Sequence, residues 1–113
     1  EKQVGFEAVK AEYEALAKAN ENSWRILFSI ANVFSYNEYF KEAIQMWQKT
    51  FDCMPKPRYT DSFEAMAQCC VRMGDHESAV EYYKKELELL REDWGLKYGA
   101  EVDALGEKIR ALQ

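Results

Sequence analysis

The sequence predicts an all-α fold, an α-α superhelix of antiparallel helix pairs with about five to six helices in all. Two observations carry this expectation. Apolar residues recur at i, i+3 and i+4 spacings along successive stretches, each making one wide stripe on a helix. Similar triplets, Glu7-Ala8-Val9, Glu42-Ala43-Ile44 and Ser78-Ala79-Val80, each open such a stretch, with their alanines 35 and 36 residues apart. That spacing is close to the period at which paired helices stack as a solenoid, each pair being too small to bury its apolar face without a neighbour.

The elements follow in order, within one domain over 1–113. The first helix, from about Gln3 to Ala19 within a segment 1–22, carries Phe6, Val9, Tyr13, Leu16 and Ala17 and reads as the second half of a broken repeat. A repeat spans 23–57. Its helix from Ser23 to Tyr36 bears Ile26, Leu27, Ile30, Ala31, Val33 and Phe34, and Asn37 offers a turn and an N-cap to the next helix. That next helix, about Glu38 to Cys53, places Phe40, Ala43, Ile44, Trp47 and Phe51 on one side. Met54-Pro55-Lys56-Pro57 stops it, because proline has no amide to donate and disfavours helix in the residue before it. The next repeat spans 58–94. Asp61 with Glu64 has capping-box spacing, Phe63, Met66, Ala67, Cys70 and Met73 make the stripe, and Gly74-Asp75 is a stop and restart. Ala79, Val80, Tyr83, Leu87 and Leu90 form the following face, and a closing helix lies within 95–113.

Composition narrows the function classes. The chain has 113 residues, 48% hydrophobic and 31% charged, with 5 Gly and 2 Pro, which suits one helix-rich domain able to bury a modest core. The net charge is -5 and the 15 Lys and Arg are scattered, so the basic footprint that nucleic-acid binding needs is missing and no direct nucleic-acid contact is expected. No run is long and apolar enough for a membrane span, and Glu1-Lys2-Gln3 opens no signal pattern. A cytoplasmic protein is expected, the three cysteines Cys53, Cys69 and Cys70 lacking both metal-ligand spacing and bridging geometry. The absence of a starting Met reads as processing or, more simply, as trimming of a longer product.

The residues resemble the tetratricopeptide repeat. Leu27, Ile30, Ala31, Phe34, Phe40, Ala43, Trp47 and Pro55 stand at that family's spacings in order, as do Phe63, Met66, Ala67, Cys70, Gly74, Ala79 and Tyr83. His76 takes the place of the first aromatic of the second helix, and Arg91 stands where the proline would be, so the helix is expected to run on to Gly95. The tail from Leu89 to Leu96 and from Glu101 to Ile109 is similar to the end of the bacterial transcriptional activator domain, a family that follows its last helix pair with a Leu-Gly-containing turn and a short closing helix. That resemblance implies a bacterial origin and a regulatory or oligomerising segment beside a separate winged-helix DNA-binding module outside this chain.

The tetratricopeptide resemblance implies a protein- or peptide-binding scaffold. In such arrays the first helices of the pairs line a concave surface, which points to Arg25, Phe28, Asn32 and Tyr36 in one and to Asp61, Glu64, Gln68 and Arg72 in the next as peptide contacts. This mixed set suits a peptide with polar and apolar contacts, and Phe28 stands where chaperone-binding members carry a lysine. The exposed stacking ends of so short an array leave room for self-association through the Phe6 and Tyr13 helix.

No catalytic set, phosphate-cradling loop, metal box or cofactor motif can be assembled, so no enzyme activity and no cofactor are expected. His76, without a positioned partner, is expected to serve helix packing; of the adjacent Cys69 and Cys70, one is expected to face the core. Trp47 is expected in the core and Trp94 to pin the closing helix, with Trp24 the tryptophan expected at the surface.

Overall fold

Local capping and stop signals divide the chain into six helices, and the described residues, 5–113 of the computed structural model, contain no strand. They fall into two compact units, one ending at Met54 and one running from Pro55 to Gln113. No helix among them is long and apolar enough to cross a membrane.

In the first unit α1 spans Glu7–Ala19, α2 Trp24–Tyr36 and α3 Phe40–Cys53. The start expected near Gln3 lies outside the described residues, and Gly5 and Phe6 form a turn ahead of α1. Ser23 caps α2 by accepting the amide of Ile26 at 3.4 Å. Asn37 does not cap α3 as its residue type suggests. Its Nδ2 donates backward to the Val33 carbonyl at 2.8 Å, and Tyr39 N reaches the Phe34 carbonyl at 2.9 Å, so the side chain closes α2 instead. Glu38 takes the left-handed conformation at φ 66°, and Tyr39 holds the N-cap position without a capping bond. Tyr39 is there because its ring is buried beside Phe6, at a centroid distance of 5.2 Å.

The α2–α3 hairpin buries Leu27, Ile30, Ala31 and Phe34 against Ala43, Met46, Trp47 and Thr50. Periodicity did not single out Met46 or Thr50. Thr50 is tolerated inside because its hydroxyl donates to the Trp47 carbonyl at 2.5 Å. Of the α1 stripe only Ala17 is fully buried; Val9 and Leu16 are exposed and Ala8, unlike Ala43, is exposed too.

The second unit holds α4 (Asp61–Arg72), α5 (His76–Trp94) and α6 (Ala100–Leu112). The α4–α5 hairpin repeats the first: Ser62, Met66, Ala67, Cys69 and Cys70 face Ala79, Val80, Tyr83, Leu89 and Leu90. Both adjacent cysteines are buried, where one was expected, while Met73 is exposed. Gly74 at φ 79° and Asp75, whose carboxylate accepts the Ser78 amide at 3.1 Å, make the anticipated stop and restart. The capping box expected of Asp61 and Glu64 does not form, since Asp61 is already the first helical residue and Thr60 takes the N-cap position without a side-chain cap. His76 does not pack between helices; it is exposed as the first residue of α5.

Without a proline, α5 runs to Trp94 and ends on left-handed Gly95 at φ 65°. Gly95 N then bonds the Arg91 carbonyl at 3.1 Å, the single bond of a left-handed helix ending, and Leu96 N reaches back to the Leu90 carbonyl at 2.9 Å. The Leu105-Gly106 step lies inside α6 and not at a turn, and Leu105 is the residue that α6 buries. Truncating fully buried Leu27 to alanine should cost the first hairpin about 2–5 kcal/mol through lost burial and the cavity left behind. Urea denaturation of L27A checks this, with exposed Ser29→Ala as the control expected within about 0.5 kcal/mol.

Candidate peptide-docking surfaces

The candidate contact residues on α2 share a helix face but not an environment. Asn32 and Tyr36 point away from the core, Tyr36 being 72% exposed. Arg25 is exposed, with its guanidinium 4.8 Å from the centroid of the Trp24 ring, and Trp24 itself is half-buried. Phe28 is half-buried and meets Trp47 edge-on at 5.9 Å, so it is tied to the α3 core residue rather than standing ready as a lone contact. Beside Arg25 a shallow hollow of about 290 Å³, lined by Tyr13, Leu16, Ile26, Ser29, Ile30 and Val33, lies between α1 and α2. Its apolar lining was not read from the sequence, because Ile26 and Val33 belong to the same periodic stripe as the buried residues.

On α4, Gln68 and Arg72 are exposed. Glu64 is engaged: Lys108 of α6 donates to its Oε2 at 2.8 Å, a partner that no local spacing could reveal. Lys108 also lies 5.6 Å from the centroid of the Tyr83 ring. Near this pair sits Glu86 of α5, only 6% exposed. Its Oε1 has no hydrogen-bond partner among the described residues. Burial first, then the neighbouring charge of Glu64, pushes its carboxyl up to about 7, against the opposing pull of Lys108 and a hydrogen bond from Thr60. That bond also accounts for a Thr60 that does not cap its own helix. The charged residues around it in sequence, Glu81, Lys84, Lys85 and Glu88, are exposed, so the burial of Glu86 breaks the pattern of a solvated face.

Asp61 lines a different feature, a hollow of about 320 Å³ bounded by Tyr59, Thr60, Leu90, Trp94, Leu96 and Glu101. Trp94 does not simply pin the closing helix. Its Nε1 donates to the Arg58 carbonyl at 2.6 Å and its ring stands 6.3 Å from that of Tyr59, so it ties the end of α5 to the segment before α4. Arg58 is held in turn by Asp93, with Nε at 2.7 Å and Nη2 at 3.1 Å from the two carboxylate oxygens. The Asp93 side chain is 2% exposed, and the Arg58 guanidinium and amide hold its carboxyl down at about 2.

Groups suited to nucleophilic or metal chemistry are not assembled. Among the described residues no three His, Cys, Asp or Glu side chains converge on a metal-sized site. Burial pushes the Cys70 thiol up to about 11 and raises that of Cys53, disfavouring the thiolate that reactivity requires. No model of a known protein family matches this chain, and no curated protein matches it either.

The Glu86 carboxyl gives a pH dependence of definite sign. Between its unfolded value near 4.5 and its folded value of about 7 the native state holds a proton that the unfolded state has lost. Its contribution to stability is therefore greatest below about pH 4.5, falls as pH rises through 7, and is constant above. Glu86→Gln should gain stability relative to the parent chain between pH 5 and pH 8, by on the order of 3 kcal/mol. Urea midpoints at the two pH values measure it; a parent-to-variant difference independent of pH would contradict the assignment.

Proposed function

We propose that the chain is a protein- or peptide-binding helical-repeat domain, in which the outward face of the first helix of each hairpin carries the contacts. The observation that supports this reading is the repetition of one design. Two hairpins, α2–α3 and α4–α5, bury alanines at matching places 36 residues apart, Ala31 with Ala67 and Ala43 with Ala79. Each leaves a strip on its first helix that the core does not use: Arg25, Asn32 and Tyr36, polar and aromatic, in one, and the polar Gln68 and Arg72 in the other. Tyrosine and arginine are the residue types that dominate protein interfaces, because each combines apolar surface with hydrogen-bonding capacity. Phe28 supports the first strip from below, and Glu64 contributes to the second through its pair with Lys108.

Selection of a displayed random-peptide library on the whole chain tests this. Enriched peptides should lose about tenfold or more in affinity for Asn32→Ala/Tyr36→Ala and for Gln68→Ala/Arg72→Ala proteins. The same variants should keep their urea midpoints, as exposed substitutions do. Failure to enrich any peptide, or affinity unchanged in both variants, would overturn the reading.

A further inference from the structure

The hollow at the end of α5 combines aromatic, acidic and apolar groups. Two large aromatic rings border it and are well exposed for their type, Trp94 at 46% and Tyr59 at 47%. Two carboxylates, Asp61 and Glu101, also line it, and no lysine or arginine does. Neither carboxylate has an ion-pair or hydrogen-bond partner among the described residues, whereas Glu64 and Asp93 nearby are both engaged by cations. Leu90 and Leu96, joined by a backbone hydrogen bond from the Leu96 amide to the Leu90 carbonyl, supply apolar surface.

The aromatic pair is held before any ligand arrives. The Trp94 indole N–H is bonded to the Arg58 carbonyl, and Arg58 is clamped by Asp93, so little freedom remains to be lost on binding. The ring centroids are 6.3 Å apart and the planes inclined at 37°, too close for a group to enter between them. The rings therefore form a wall for stacking and not a slot. At about 320 Å³ the hollow lies at the small end of the range for ligand sites, enough for one long side chain.

We propose that this hollow is a recognition site for the arginine side chain of a peptide partner. A planar guanidinium stacks on aromatic surface, leaves its methylenes against leucines, and offers a fork of donors to carboxylates. An ammonium group shares the charge but lacks the plane and the fork. The inference takes from the proposed function only that the arginine belongs to a peptide; the hollow shares no residue with the α2 and α4 strips proposed above.

The test uses the 15N-labelled whole chain at low salt, with N-acetyl-arginine methylamide, N-acetyl-lysine methylamide and the neutral isostere N-acetyl-citrulline methylamide as probes. The arginine probe should shift the Trp94 indole resonance saturably in the roughly millimolar range. The lysine and citrulline probes should bind about fivefold or more weakly, and Asp61→Asn/Glu101→Gln should reduce arginine binding to the citrulline level. That double variant leaves the Trp94, Arg58 and Asp93 contacts intact, and its unchanged indole spectrum without probe verifies the fold. No shift, equal binding of lysine or citrulline, or undiminished binding by the double variant would overturn the proposal. Peptides selected on the parent chain that bind the double variant equally well would remove the arginine site while leaving the peptide-binding function standing; arginine binding without any selectable peptide would do the reverse.

Discussion

Close approach of helices over alanine is the constraint on which the rest of the molecule depends. Ala31 and Ala43 in the first hairpin, and Ala67 and Ala79 in the second, have no exposed surface at all. A methyl side chain lets two helix surfaces meet closely, and the buried residues a turn away, Leu27, Phe34 and Trp47 in one hairpin and Cys70 and Tyr83 in the other, then fill the space on either side. With a larger residue at those four places the helices would stand apart and the flanking side chains would lose the contacts that bury them.

In the first unit the same hairpin surface receives α1 through aromatic packing. Phe6 stacks on Tyr13 at 5.9 Å and meets Phe34 edge-on at 5.7 Å, which holds the turn before α1 in place. Polar contacts add direction: the Tyr39 hydroxyl donates to Glu7, which pushes the phenol up to about 12, and Lys10 pairs with Glu42 at 3.2 Å. Val9 and Leu16 stay exposed, so α1 spends only part of its apolar stripe on this docking.

In the second unit distant polar groups are brought together by the length of α5 and the return of α6. The run-on of α5 to Gly95 brings Asp93 and Trp94 within reach of Arg58, and α6 returns along α5 so that Lys108 meets Glu64 and Tyr83. Closing the end in this way buries Glu86, a group the core would be more stable without at neutral pH, and opens the aromatic and acidic hollow beside the last turn of α5.

Helix existence, the two hairpins and the Gly74-Asp75 and Met54-Pro55 breaks were legible from the residues alone, because periodicity, proline geometry and glycine freedom act over a few positions and need no distant partner. The run-on of α5 was legible for the same reason. What only the tertiary structure decided is which polar groups meet across long sequence distance. Asn37 turned back to Val33 and Thr60 toward Glu86, where local rules expected an N-cap at Asn37 and a capping box beside Thr60. Phe28 found Trp47, Glu64 found Lys108, and Trp94 found the Arg58 carbonyl, three side chains whose sequence spacing carries no information about a partner 19, 44 or 36 residues away. A helical stripe encodes the direction in which a residue points relative to its own helix; what it meets there is set by how the helices pack, which is the physical reason that the fold was readable and the contacts at the candidate sites were not.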